Sequence, residues 1–186
     1  MLVSGEGTNL QAILDATKNP SYPAVVKVVV SNKENVGALR RAEKAGVKTA
    51  VVDHRKYAQR GEFEKELIRV LEEAGVEWVV LAGFMRVLSP VFVGHYRGRI
   101  VNIHPALLPA FPGVDAIRQA WEAGAKETGV TVHFVDEGTD TGPVILQERV
   151  AVSPEETLEI LEKKIHAVEH QIYPEAIRSV IQKGGV

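Results

Sequence analysis

The chain of 186 residues contains no cysteine, which excludes a disulfide framework, a thiolate nucleophile and any cysteine-ligated zinc site. No apolar run approaches the roughly 20 residues that span a bilayer. Met1-Leu2-Val3-Ser4-Gly5 also lacks the basic region and apolar core of a signal peptide. A membrane partner is therefore not expected, and the cytoplasm is the expected location. Nor is there an excess of positive charge: 22 Lys and Arg stand against 24 Asp and Glu, a formal net charge of -2. That balance supplies no basic field for a polyanion, so small molecules rather than nucleic acid are the expected partners. Repeats, linkers and low-complexity tracts are lacking too. What remains is globular material, 45% hydrophobic and 25% charged, in a length suited to one domain with a sizeable core. Residues 1–186 are read as that single domain, and a monomer and a modest homodimer are both compatible with its surface.

Val25-Val26-Lys27-Val28-Val29-Val30 and Trp78-Val79-Val80-Leu81 are short β-branched runs, the pattern of strands buried on both faces of a parallel sheet. Between them Phe63, Leu67, Val70 and Leu71 recur at helical spacing with charged residues on the opposite face, and Gly75 offers a stop. Residues 9–16, 38–45 and 91–96 read as further helices or helical turns, and 47–52 and 99–103 as further strands. The alternation predicts an α/β fold with a doubly wound, mostly parallel, Rossmann-like sheet. Only three residues precede Ser4-Gly5, whereas strands usually run to about five or six. The first strand is thus expected to be truncated, through a late start of the chain or a misassigned start codon. After Ile103, Pro105, Pro109 and Pro112 forbid regular helix or central strand and predict an ordered surface loop. Residues 131–135 and 144–147 read as an antiparallel strand pair around the loop 136–143. Ser153-Pro154-Glu155-Glu156 has a cap, proline at the first helical position and Glu at the third. A long C-terminal helix is expected from there, burying Leu158, Leu161, Ile165, Val168 and Ile172.

Ser4-Gly5-Glu6-Gly7-Thr8-Asn9-Leu10 follows the first strand and opens a helix, so its backbone N–H groups converge at a positive helix end where a phosphate would fit. Leu10 occupies the third glycine position of a dinucleotide fingerprint, and the next strand ends at Ser31-Asn32-Lys33 without a ribose-binding acid, which argues against NAD. The bland alternative is a Gly-rich turn with Thr8 as a cap. Glu6 opposes an anion unless its side chain points away. Asn102 and His104 end a strand and share one of its sides. A His moves protons near neutral pH and an Asn amide donates to an oxyanion, which together are the needs of attack on a carbonyl. They could equally anchor the following loop. Asp140 is a third candidate, as a carboxylate that would fix the tautomer of His104 and favour its cation, or merely as an Asx turn. His133, beside Thr131 on one strand side, would line the same cleft or be a satisfied structural His. His54 and His95 receive no role. His166-Ala167-Val168-Glu169-His170 matches the helical zinc signature H-x-x-E-H, but no third ligand presents itself and no metal is expected. His166, Glu169 and Tyr173 instead form a stripe that could face a ligand.

Ser4-Gly5-x-Gly7-Thr8-Asn9-Leu10, Ala82-Gly83-Phe84-Met85-Arg86, Asn102-Ile103-His104-Pro105-x-Leu107-Leu108-Pro109 and Asp140-x-Gly142-Pro143 resemble the glycinamide ribonucleotide transformylase family. The resemblance covers essentially the whole chain. It implies the formyltransferase fold, with residues 1–100 as an N-terminal half that binds phosphate and ribotide and residues 101–186 as a catalytic and folate-binding half. It also implies formyl transfer from 10-formyltetrahydrofolate, as co-substrate, to glycinamide ribonucleotide, with no bound cofactor. By the same resemblance Asn102, His104 and Asp140 are catalytic, and Gly7, Thr8, Asn9, His166 and Glu169 hold the ribotide. Met85, Arg86, Val87 and Leu88, with Asp136, Glu137, Gly138, Thr139 and Asp140, line the folate pocket, and Arg60 meets the carboxylates of the folate tail. Thr131 and His133 stand behind the catalytic residues. The Asn, His and Asp set is shared with formyltetrahydrofolate hydrolase, so a hydrolase and a non-catalytic folate- or nucleotide-binding module are the alternatives.

Overall fold

In the computed structural model, which describes residues 1–184, one seven-stranded sheet runs in the order β3-β2-β1-β4-β5-β6-β7. Its strands are β1 (Leu2–Val3), β2 (Val28–Ser31), β3 (Lys48–Val51), β4 (Val79–Ala82), β5 (Ile100–His104), β6 (Glu127–Phe134) and β7 (Val144–Ala151). The first five are parallel, and β5, β6 and β7 pair antiparallel. The helices are α1 (Thr8–Ala16), α2 (Gly37–Lys44), α3 (Arg60–Glu73), α4 (Pro90–His95), α5 (Ala116–Glu122) and α6 (Leu158–Lys183).

Alternation along the central strands sorts the apolar side chains into two cores. Val3, Val29, Val80, Val101 and Ile103 meet α1, α2, α5 and α6 on one face, through residues such as Leu10, Leu39, Ile117, Ile165 and Tyr173. Leu2, Val28, Val30, Val79, Leu81 and Ile100 meet Phe63, Leu67 and Leu71 of α3 and Phe92 and Tyr96 of α4 on the other. Each fully buried Leu contributes about 1.5–3 kcal/mol of apolar burial. This double cover is why β2 and β4 are buried throughout and, but for Ser31, apolar, whereas β3 at one edge is not buried along its length. The stop read at Gly75 takes Schellman form: Gly75 has φ 64°, its N–H donates to the Glu72 carbonyl, and the Val76 N–H donates to that of Leu71. β1 has only two residues although it lies mid-sheet.

Three readings change. The second strand begins at Val28 rather than Val25, because its ladder with β3 opens at Val28 opposite Lys48; Val25 is 66% exposed. Residues 153–156 form a turn, not a first helical turn. The Glu156 carboxylate does accept the Ser153 N–H, so half a capping box closes, but the helix starts at Leu158 with Thr157 as its cap. α5 goes unanticipated, and it packs Ala116, Ile117 and Ala120 inward directly after the proline-rich loop.

Candidate active site

The chain winds outward in one direction through β1, β2 and β3 and in the other through β4 and β5, so the winding reverses between β1 and β4. The carboxyl ends of strands at such a reversal form a crevice, the usual ligand site of doubly wound sheets. Segments after β1, β4 and β5 all open there, and each carries part of one of the three groups of residues expected from the sequence.

The first group is a polar network on β5 and β6. Register sets Asn102 opposite His133 and His104 opposite Thr131. Asp140 reaches both imidazoles from a loop position with φ 55°, with Oδ2 at 3.4 Å from His104 Nδ1 and Oδ1 at 3.5 Å from His133 Nε2. The other nitrogen of His104 donates to the Phe111 carbonyl at 2.7 Å. Both ring nitrogens therefore face acceptors, an arrangement that the doubly protonated imidazolium satisfies. His133 Nδ1 donates to the Phe134 carbonyl, and its Nε2 lies 3.2 Å from Asn102 Nδ2. Neutral, His133 accepts from Asn102; charged, it donates to Asp140. Burial pushes the Asp140 carboxyl up, but hydrogen bonding from His133 and the Gly113 N–H, together with the charge of His104, outweighs burial and holds it below the usual range. Thr131 is fully buried beneath the loop after His104: it accepts from the Leu108 N–H and donates to the Ala106 carbonyl. Gln147, which sequence reasoning missed, donates to both Thr131 Oγ1 and the Leu108 carbonyl.

The second group joins α1 to α6. Gly7 caps α1 in the left-handed region at φ 74° without a side-chain hydrogen bond, and a β-carbon there would collide with Ala38. Thr8 is the first helical residue rather than the cap. Asn9 Nδ2 donates to Glu169 Oε2 at 3.1 Å, and His166 Nδ1 donates to the same oxygen at 2.9 Å. The hydrogen bond to Glu169 raises the His166 pKa above its ordinary 6.5, against the pull of desolvation. Asn9 Oδ1 is a buried acceptor without a partner, open to a donor on a ligand. The Glu6 carboxylate packs against Gly37, in the first turn of α2, where a positive helix end suits it. Arg41 fixes this loop from α2 by donating to the Glu6 carbonyl.

The third group is the segment between β4 and α4. Met85 and Val87 are more than 60% exposed, while Leu88 turns into the core between the sheet and α3 and α4. The Met85 N–H donates to Ser4 Oγ, and Ser4 in turn donates to Asn32. In the β6–β7 loop Asp136 accepts from the Gly138 N–H and the Thr141 hydroxyl, an Asx-type turn that carries the chain toward Asp140. Arg60, at the start of α3, pairs with the buried Glu64. An apolar cavity of about 260 Å³, lined by Tyr22, Val26, Trp78 and Ile177 among others, abuts the amino ends of β2 and β4, opposite the crevice. His166, Glu169 and His170 do not assemble a metal site: among the described residues no group of three or more His, Cys, Asp or Glu could hold an ion.

Fold and site together define a doubly wound α/β protein that carries a network of Asn102, His104, His133 and Asp140 on β5, β6 and the following loop. The model of the formyl transferase family matches residues 1–177, and the chain belongs to that family. It is 39% identical to the phosphoribosylglycinamide formyltransferase of Bacillus subtilis, over 97% of this chain and 93% of that protein. It is 48% identical to the trifunctional purine biosynthetic protein adenosine-3 of Gallus gallus over 97% of its own length, yet spans only 18% of that much longer protein. The crystal structure of phosphoribosylglycinamide formyltransferase from Bacillus halodurans superposes with a TM-score of 0.95 at 44% identity, covering 98% of this chain and 94% of that one.

Proposed function

We propose that this chain transfers the formyl group of 10-formyltetrahydrofolate to the amine of glycinamide ribonucleotide, yielding formylglycinamide ribonucleotide and tetrahydrofolate in purine biosynthesis. The observation that carries the reading is the network of Asn102, His104, His133 and Asp140 at the mouth of the crevice. It occurs in a chain that aligns with nearly the whole of a phosphoribosylglycinamide formyltransferase.

In this reading the neutral amine attacks the formyl carbon, forming a new C–N bond and a tetrahedral oxyanion without a covalent enzyme intermediate. The Asn102 amide donates to that oxyanion, as does protonated His104 once its Nε2–H exchanges the Phe111 carbonyl for the oxyanion, while Asp140 orients the imidazole from the Nδ1 side. Collapse breaks the bond to the folate nitrogen. The proton lost by the amine reaches that nitrogen through solvent or the imidazole, so the exchange balances. Gly7, Thr8 and Asn9 present backbone N–H groups at the α1 N-terminus to the ribotide phosphate, and Glu169 with His166 holds the glycinamide portion. Met85, Arg86, Val87 and the backbone of Leu88, with residues 136–140, form the folate wall, and Arg60 meets the carboxylates of the folate tail. The ribotide site draws on both halves of the chain, since Asn9 is bonded to Glu169. No bound cofactor enters, and the reaction belongs in the cytoplasm.

The test is turnover with both substrates, reading formylated ribotide, tetrahydrofolate and formate. Equal amounts of the first two, with no formate when the ribotide is omitted, support the reading. Formate released at the same rate without ribotide would make the chain a hydrolase. Binding of both ligands without any product would make it a binding module.

A further inference from the structure

Glu64 is one of the few acidic side chains in the core, 2% exposed, and it belongs to no step of the chemistry above. Its contacts give it a purpose. One carboxylate oxygen accepts from Arg60 Nε at 3.1 Å and from the Ser89 N–H at 2.7 Å, and the other accepts from the Ser89 hydroxyl. Ser89 in turn caps α4 by accepting from the Phe92 N–H. The segment 85–88 is therefore tied at one end by Ser4, through the Met85 N–H, and at the other by Glu64, through Ser89. Between these ties Met85 and Val87 stay exposed, two apolar side chains held out without collapsing onto the core.

The consequence for Arg60 is directional. A guanidinium has five N–H donors in a rigid fork. The bond to Glu64 engages Nε, which fixes the plane of the fork and leaves the two terminal nitrogens for a carboxylate in the cleft. A buried carboxylate is retained only where its partners compensate its desolvation, and here the donors are Arg60 itself and the N–H and hydroxyl of Ser89, the residue directly after the segment 85–88. We propose that Glu64 is a positioning residue for the folate co-substrate: it aims Arg60 at the tail carboxylates. This rests on the proposed formyl transfer from a folate.

The discriminating variant is Glu64→Gln, which keeps the side-chain shape and an acceptor oxygen but removes the charge. The expected result is a rise of about tenfold in the KM for 10-formyltetrahydrofolate, the loss of roughly one charge-assisted hydrogen bond. The ribotide KM and the kcat at saturating folate should change less than about twofold. The rise should largely vanish for a formyl donor lacking the glutamate tail, and Glu64→Gln combined with Arg60→Ala should weaken folate no more than Arg60→Ala alone. An unchanged folate KM, an equal rise for the tail-less donor, or additive single effects would each overturn the proposal. A wild-type chain without formyl transfer would instead overturn the underlying reading. Should Glu64→Gln fail to fold, the wild-type protein still decides by ¹⁵N NMR with 4-aminobenzoylglutamate as the probe. The terminal Arg60 nitrogens should shift on titration while Nε–H keeps its slow exchange. A rapidly exchanging Nε–H, or no shift at the terminal nitrogens, would count against it.

Discussion

The crevice holds two pairs of histidine and carboxylate that look alike in chemistry and differ in setting. His104 and Asp140 stand 3.4 Å apart with side chains 4% and 12% exposed. His166 and Glu169 stand 2.9 Å apart, with the carboxylate buried but the imidazole 51% exposed. In the first pair a strand and a loop converge on one another, a backbone N–H steadies the carboxylate, and the carboxyl pKa is driven down. In the second, one turn of helix supplies the spacing, and it is the histidine whose pKa is driven up. A dehydrated, multiply held pair is suited to presenting a fixed charge to a transition state. A half-exposed pair can meet solvent and ligand and suits recognition. On the proposed reading a histidine and a carboxylate thus serve different ends because of what surrounds them.

The comparison can be broken most forcefully at His104. His104→Ala is expected to lower kcat by roughly 10²- to 10⁴-fold while the ribotide dissociation constant, read by calorimetry, stays within about threefold. A comparable loss in both would assign His104 to binding. Asp140→Asn keeps the shape and removes the charge that orients the imidazole. We expect a fall in kcat of about 10²-fold, smaller than for His104→Ala, with both substrate KM values nearly unchanged, as steady-state kinetics would show. Across the crevice, Glu169→Gln removes the negative charge from the acceptor shared by Asn9 and His166. The ribotide KM should rise about 10- to 100-fold, the cost of one or two charge-assisted hydrogen bonds.

The smallest effect sharpens the contrast through pH. A histidine whose folded pKa lies above its unfolded value adds stability that is fully present below the unfolded pKa, near 6.5, and is lost as pH rises through the raised value. Because His166 is half exposed, solvent screening limits the pair to about 0.2–1 kcal/mol. The stability advantage of wild type over His166→Gln, measured by urea unfolding, should therefore shrink from pH 6 to pH 9. Asp140 runs the other way: its lowered pKa adds stability above the unfolded value, near 3.9, and loses it as pH falls through the folded value.

The two pairs were also unequally legible. Positions 166 and 169 share a helix face by period alone, and 102 and 104 share a strand side by alternation, so both couples stand out in the bare sequence. Asp140 does not, since no periodicity joins it to residue 104. Its position depends on the antiparallel return of β6 and on a left-handed residue in the following loop, so its chemistry made it a candidate with an Asx turn as the alternative, and the family resemblance supplied the role. Glu64 escaped for a related reason. Beside Phe63 it reads as the polar margin of an amphipathic helix, and only the packing of α4 against α3 buries it. The parallel sheet was readable because strands covered on both faces must be apolar throughout. The start of α6 was misplaced because a capping sequence can close on a single turn without propagating a helix.

The most direct measurement is a rapid-quench single turnover with enzyme in excess and both substrates saturating, which isolates the formyl-transfer step from binding. The division of labour between the two pairs predicts a transfer rate at least about 10²-fold below wild type in His104→Ala and close to wild type in Glu169→Gln. Equal slowing of the two variants, or a normal rate in His104→Ala, would contradict it.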